Sequence, residues 1–307
     1  MEHRHYSARN AAVLLSAGLA VSLVLSACGS ANDRATNASS TAPRIASAPM
    51  NTDNAYEGVA TEQTPVYWAG SGAQEGYLFR EFRTASNADT VDPVAEAVVM
   101  MTTLSPLDED YRSMWTQVEN VGTSVSPDGT ITVDMPSTAF ASRLSEDDAE
   151  LALQQLVYTV SAAAVTAGLL DAATAKEVRV LVDGETGYKA FGSVNLDEPI
   201  SRDASIASPV WLIDPQTGTE AGQTMTIFGR VLPEYASARW EVIPEGEDRP
   251  VKSGEISEPK NTPASTSGTE LRFPVEVPAG EYTVRVIGVN DAGQEVKDDH
   301  TVTVVED

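Results

Sequence analysis

The sequence predicts two folded parts, an α+β domain of strands with two helices and then an all-β immunoglobulin-like sandwich, carried on a disordered N-terminal tether. Three observations carry this. Between Thr64 and Asp203, two stretches of helical periodicity, each opened by a capping residue, sit among short alternating strands. Beyond Arg202, only short alternating runs separated by Gly- and Pro-containing turns remain. From Gly29 to about Gln63 the chain is Ser, Ala, Thr, Asn and Pro without periodicity, too poor in large apolar residues to offset chain entropy. The expected boundaries are 1–27, 28–63, 64–203 and 206–307.

Ahead of the tether, Arg4 and Arg9 precede the uncharged stretch Ala11–Ala27, rich in Leu, Val and Ala. A basic head, an apolar core and small residues make a secretory signal sequence. The alternative is an uncleaved membrane helix, since about 17 apolar residues is the lower limit for spanning. A plain anchor needs neither small residues nor a cysteine at its end. Leu25-Ser26-Ala27-Cys28 resembles the bacterial lipobox, which implies cleavage before Cys28 and a diacylglyceryl group on its sulfur. The expected location is therefore the extracytoplasmic face of the cell membrane, with membrane lipid as the partner of Cys28. Acyl chains contributing about 0.8 kcal/mol per buried methylene make a two-chain anchor stable. A flexible tether of about 35 residues reaches roughly 30 Å, enough to lift the folded part clear of the bilayer.

Removing residues 1–27 leaves 18 basic against 44 acidic residues, a net charge of −26. Such a chain repels nucleic acid and anionic headgroups, so nucleic-acid binding is excluded as its task and only the lipid holds it to the membrane. Cys28 is the single cysteine, which closes disulfide, thiolate and CxxC metal chemistry. His3 and His5 leave with the signal, so triads and multi-histidine zinc sites lack parts. The remaining His300 reads as a solvated side chain.

The first domain opens with Pro65–Ala69 and Tyr77–Phe82, β-forming runs joined through Gly70-Ser-Gly72. Asp92-Pro93 is an N-cap followed by proline at the first helical position, and Val94, Ala97, Val98 and Met101 form one buried face. This helix stops before Ser105-Pro106. Thr123–Val125 and Ile131–Val133 flank the Pro127-Asp-Gly129 turn. Ser145 caps the second helix, with Glu146, Asp147 and Asp148 matched to its dipole. Its stripe is Leu153, Leu156, Val157, Val160 and Ala164, and Gly168 is its C-cap. Val178, Val180 and Val182 alternate in a further strand, with a return near Tyr188–Val194.

This pattern resembles the GerMN domain of bacterial spore-germination proteins and envelope lipoproteins. The residues carrying the resemblance are Val66-Tyr-Trp68, Leu78-Phe-Arg-Glu-Phe-Arg83, Asp128-Gly129 with Ile131-Thr-Val-Asp134 and Phe140, Gln155-Leu-Val-Tyr-Thr159, Val180-Leu-Val-Asp-Gly184 and Arg202. Met101-Thr-Thr-Leu-Ser-Pro106 departs from the family's Leu-Leu-x-Gly-Pro turn. The strands expected in the second domain are Trp211–Ile213, Thr224–Phe228, Ala238–Ile243, Leu271–Val277, Tyr282–Val289 and Thr301–Val305, with Trp240 as the core tryptophan. Phe228-Gly229, Arg239-Trp-Glu-Val242 and Pro278-Ala-Gly-Glu-Tyr-Thr-Val284 resemble the immunoglobulin-like domain that follows GerMN in germination proteins.

The acidic groups Asp108-Glu-Asp110, Glu146-Asp-Asp148, Asp197-Glu198, Glu245-Gly-Glu-Asp248 and Asp298-Asp299 lack EF-hand spacing and read as solvated surface. No cofactor or metal is expected. Trp68, Tyr77 and Arg80 are the first candidates for partner contact, because Trp, Tyr and Arg dominate interface hot spots; core packing is the competing reading. The resemblance implies a non-catalytic lipoprotein that assembles with envelope proteins or wall components at the outer face of the membrane. A carboxylate-dependent glycan hydrolase and a solute-binding lipoprotein are the alternatives.

Overall fold

A computed structural model describes residues 63–84, 92–172, 175, 177–235, 237–256 and 269–306. The expected signal and tether, with Leu25, Ser26, Ala27 and Cys28, lie outside these residues. β1 (Gln63–Gly70) and β2 (Leu78–Thr84) form an antiparallel hairpin with Trp68 opposite Phe79. α1 (Pro93–Thr103) starts at Asp92, whose Oδ1 accepts from the amides of Val94 and Ala95 at 3.1 and 3.0 Å. β3 (Tyr111–Arg112), too short to be legible in the sequence, pairs with the far side of β1.

β4 (Gly122–Val125) and β5 (Thr130–Met135) make a second hairpin, whose turn places Gly129 at a φ of +94°. Glycine takes that left-handed conformation without a Cβ clash. α2 (Glu146–Thr166) opens where the Ser145 hydroxyl accepts from the Asp148 amide at 3.1 Å. It closes at Gly168, with the Leu169 amide bonding back to the Ala164 carbonyl at 2.9 Å. β6 (Glu177–Val182) then lies parallel to β5, so β5, α2 and β6 form a βαβ crossover.

The expected single return strand is instead a ribbon of β7 (Lys189–Ala190) and β8 (Val194–Asn195). Positive φ values at Phe191 and Gly192 turn the chain between them. β9 (Ile200–Ser201) pairs with β6. Both helices pack on each other and on β1.

Among the described residues, eight strands form the second half. β10 (Val210–Asp214), β12 (Thr224–Val231) and β15 (Thr269–Glu276) make one sheet. The other runs β11 (Thr219–Ala221), β17 (Glu295–Val304), β16 (Gly280–Val289), β13 (Ser237–Pro244), β14 (Lys252–Ile256). β11 is parallel to β17, and the Tyr282 hydroxyl at the start of β16 donates to the Pro278 carbonyl at 3.0 Å. That bond is the tyrosine corner of immunoglobulin-like sandwiches. β11 and β14 escape a reading by alternation because one has three residues and the other is Lys-Ser-Gly-Glu-Ile.

Two expectations change here. Trp240 is only partly buried: it lies over Gly254 of β14, 5.0 Å from the Phe273 ring, while Leu212, Ile227, Val242, Val284 and Val286 fill the centre. His300 and Asp298 are not solvated. Both stand in the inward-facing row of β17 with Val302 and Val304, at 5% and 1% exposure. Asp108 is buried as well, although Glu109 and Asp110 beside it are exposed.

Candidate functional site

Trp68, Tyr77 and Arg80 do not form an exposed contact patch. Trp68 is fully buried and its Nε1 donates to Glu81 Oε2 at 2.9 Å. Glu81, itself buried, also accepts from the amides of Leu107 and Asp108 at 2.7 and 3.0 Å and pairs with Arg83 at 3.1 Å. Desolvation raises its carboxyl above the usual range against the pull of these donors. Arg80, 3% exposed, lies 4.5 Å over the Phe82 ring and 5.3 Å over Trp211 of β10. Its aromatic contact is thus made with the sandwich of the same chain. Tyr77 is partly buried and packs against the α+β core. Trp68 and Arg80 point to opposite faces of the β1–β2 hairpin, and both faces are buried, between the helices packed on β1 and Trp211 of the sandwich.

The concave surface of the α+β half lies elsewhere, along α1. A groove of about 780 Å³ runs between α1, the start of β4 and the ends of β5 and β6. Among the described residues, its charged lining is Asp92, Glu96, Glu119, Asp134 and Asp183, with no lysine or arginine. Val99, Met100, Val121 and Met135 supply its apolar surface. Three of the carboxylates also hold the walls. Asp92 caps α1 and accepts from the Thr123 hydroxyl, Asp134 accepts from the Gly184 amide at 2.9 Å, and Asp183 accepts from the Ser137 amide at 3.2 Å. Glu96 and Glu119 have no such bond among the described residues, which leaves their charge turned to the groove.

A second concavity of about 700 Å³ at the start of α2 is also acidic, but there Asp148 is tied to Arg112 at 3.1 Å and to Ser145. Those bonds hold the Asp148 carboxyl below its usual range. Among the described residues, no group of three or more His, Cys, Asp or Glu side chains is placed to hold a metal ion.

The groove was not legible in the sequence, because Glu96, Glu119, Asp134 and Asp183 stand on four different segments. The available signal was that Asp134 and Asp183 both fall in stretches that carry the family resemblance.

Residues 65–188 match the family model described as Germane, sporulation and spore germination. No curated protein matches the chain. Among solved structures, the chain is similar to the first GerMN domain of the sporulation protein GerM from Bacillus subtilis, with 13% identity and a TM-score of 0.34 over 46% of this chain and 95% of that one. The tandem GerMN domains of the same protein align with 10% identity and a TM-score of 0.36, over 79% of this chain and 60% of that one. CopC from Methylosinus trichosporium OB3b aligns with 17% identity and a TM-score of 0.24, over 32% of this chain and 94% of that one. The stretch that matches the family model runs from β1 through both helices and the βαβ crossover, so the similarity to that family lies in the α+β half of this chain.

Proposed function

We propose that this chain is a lipid-anchored envelope protein whose GerMN-like domain is a non-catalytic interaction module, offering the groove beside α1 to a cationic segment of an envelope partner. The observation that carries this reading is the one-signed lining of that groove: among the described residues, five carboxylates, no basic residue and an apolar floor. Clefts of one charge sign focus the field and raise the local concentration of oppositely charged partners, while an apolar floor supplies the contact area. The whole chain, at −25, adds to the same field. Three of the five carboxylates are engaged as structural acceptors, which suits a wall better than an acid–base pair. Anchoring at Cys28 and the tether would place the groove outside the membrane.

The test is in-cell crosslinking of the tagged protein followed by mass spectrometry, with Cys28→Ala as the unanchored control. Reproducible partners carrying basic segments, lost in the control, are expected. An empty list from chains that remain anchored would sink the assembly role and bring the hydrolase and solute-binding alternatives forward.

A further inference from the structure

The two halves of the chain meet through polar side chains that water does not reach. From β17 come Asp298 and His300; from the α+β half come Gln74, in the turn between β1 and β2, and Tyr111 of β3, each 5% exposed. The Tyr111 hydroxyl donates to Asp298 Oδ1 at 2.9 Å, and Gln74 Nε2 donates to the same oxygen at 3.1 Å. The other oxygen accepts from the Leu212 amide at 2.8 Å. One carboxylate therefore takes three hydrogen bonds, two of them from the opposite half.

His300 Nδ1 lies 2.7 Å from the Pro215 carbonyl, which can only accept, so Nδ1 carries a hydrogen, and in the uncharged form of the ring Nε2 is an acceptor. That Nε2 is 3.4 Å from the Tyr111 hydroxyl and 3.8 Å from Asp108 Oδ2. Asp108 in turn accepts from Thr217 at 3.2 Å, a further bond between the halves. Tyr111 thus has one hydrogen and two acceptors, Asp298 and His300.

We propose that this junction is a proton-operated latch, fastened when the Asp298–Tyr111–His300 cluster takes up one proton and loosened when it gives that proton up. The proton comes from solvent and binds the Asp298 carboxylate. Asp298 then donates to the Tyr111 oxygen, and the Tyr111 hydrogen turns to His300 Nε2, so every donor keeps an acceptor. The charges facing the cluster favour uptake. Asp108 and Asp110 precede β3, Glu81 stands on β2 and Asp214 ends β10; Arg272, beside Asp214, opposes them. Without the proton, the junction buries more negative than positive charge, which costs desolvation energy.

Burial pushes the Asp298 carboxyl up to about 6, and raises those of Asp108, Glu81 and Asp214 in the same direction. A carboxyl raised in the folded state stabilises the fold fully below its unfolded value, and that contribution is lost as pH rises through the folded value. For Asp298 the window runs from about pH 4 to about pH 6.

The experiment is calorimetric unfolding between pH 5 and 7.5, with hydrogen exchange at the junction, on the full chain carrying Cys28→Ala and on the same chain with Asp298→Asn. Asparagine keeps an acceptor for Leu212 and has no proton to lose. The parent's midpoint is expected to fall by about 5 °C as pH rises, with faster junction exchange after correction for intrinsic rates. The Asp298→Asn chain is expected to fall by less than half as much. Equal slopes, or unchanged junction protection in the parent, overturn the latch. Should Asp298→Asn fail to fold, titration of the Asp298 carboxyl carbon in the parent by NMR decides. A midpoint near 6 supports the proposal and one near 4 overturns it.

Discussion

Gln155 on α2 donates its side-chain amide to the carbonyl of Tyr67 on β1 at 2.8 Å. One turn later, Thr159 accepts from the Tyr67 amide at 3.1 Å. β3 pairs only with Ala69 and Gly70, so at Tyr67 the far edge of β1 has no strand neighbour among the described residues. Two helix side chains spaced i, i+4 supply the donor and acceptor that a strand would have supplied, and they close the edge to outside pairing. This gives Gln155-Leu-Val-Tyr-Thr159 a physical meaning: its first and last residues complete a β-ladder from a helix.

Gln155→Leu and Thr159→Val should each destabilise the chain by about 1–3 kcal/mol, because each leaves one buried Tyr67 backbone group unpaired. The double variant should lose less than the sum, since both act on one residue. Urea unfolding measures this. Strictly additive losses would mean the two bonds act independently.

Glu81 gathers the Trp68 indole, the Leu107 and Asp108 amides and Arg83 around one buried carboxylate. Glu81→Gln replaces one acceptor oxygen with an NH2 that faces donors. A loss of about 2–3 kcal/mol is expected in thermal unfolding. A change below about 0.5 kcal/mol would show that the loop before β3 does not depend on this carboxylate.

Gly288 on β16 has no room for a side chain. A Cβ there would stand 2.6 Å from Val210 Cγ2 and 3.0 Å from Tyr235 Cβ. Gly288→Ala should cost about 1–3 kcal/mol through overpacking. Gly246, where nothing lies within 4 Å of a Cβ but φ is +76°, provides a contrast in which only backbone strain acts. Equal stability of Gly288→Ala and the parent in calorimetry would contradict the packing described.

Charge reversal in the groove separates docking from folding. Glu96→Lys with Glu119→Lys removes the two carboxylates that make no hydrogen bond among the described residues and should leave stability within about 0.5 kcal/mol per site. Crosslinking to a cationic partner is expected to drop at least about tenfold, a loss of some 1.4 kcal/mol in docking. Undiminished crosslinking from a normally folded double variant would place the partner on another surface.

The elements whose signals are local were legible along the chain. Asp92-Pro93 and Ser145 cap their helices where the spacing indicates, and Pro127-Asp-Gly129 turns a hairpin as expected. Pro278 to Val284 carried the immunoglobulin-like resemblance, and its physical content is the bond from Tyr282 to Pro278. In each case the interacting groups lie within a few residues, so backbone geometry alone brings them together.

Only the tertiary structure decided what Trp68, Arg80, Asp298 and His300 do. Along the chain, Trp68 and Arg80 have the composition of a contact site, and His300 that of a solvated end. Burial on both faces of the β1–β2 hairpin turns the first two inward, and the inward row of β17 takes the other two. Tyr111 and Asp298 are 187 residues apart in sequence and 2.9 Å apart in space. Alternation along β17 places Asp298 and His300 on the same face as Val302 and Val304, but the pattern does not say what that face meets. A single strand dictates the direction of its side chains; the groups waiting on the other side are set by the packing of one half of the molecule on the other.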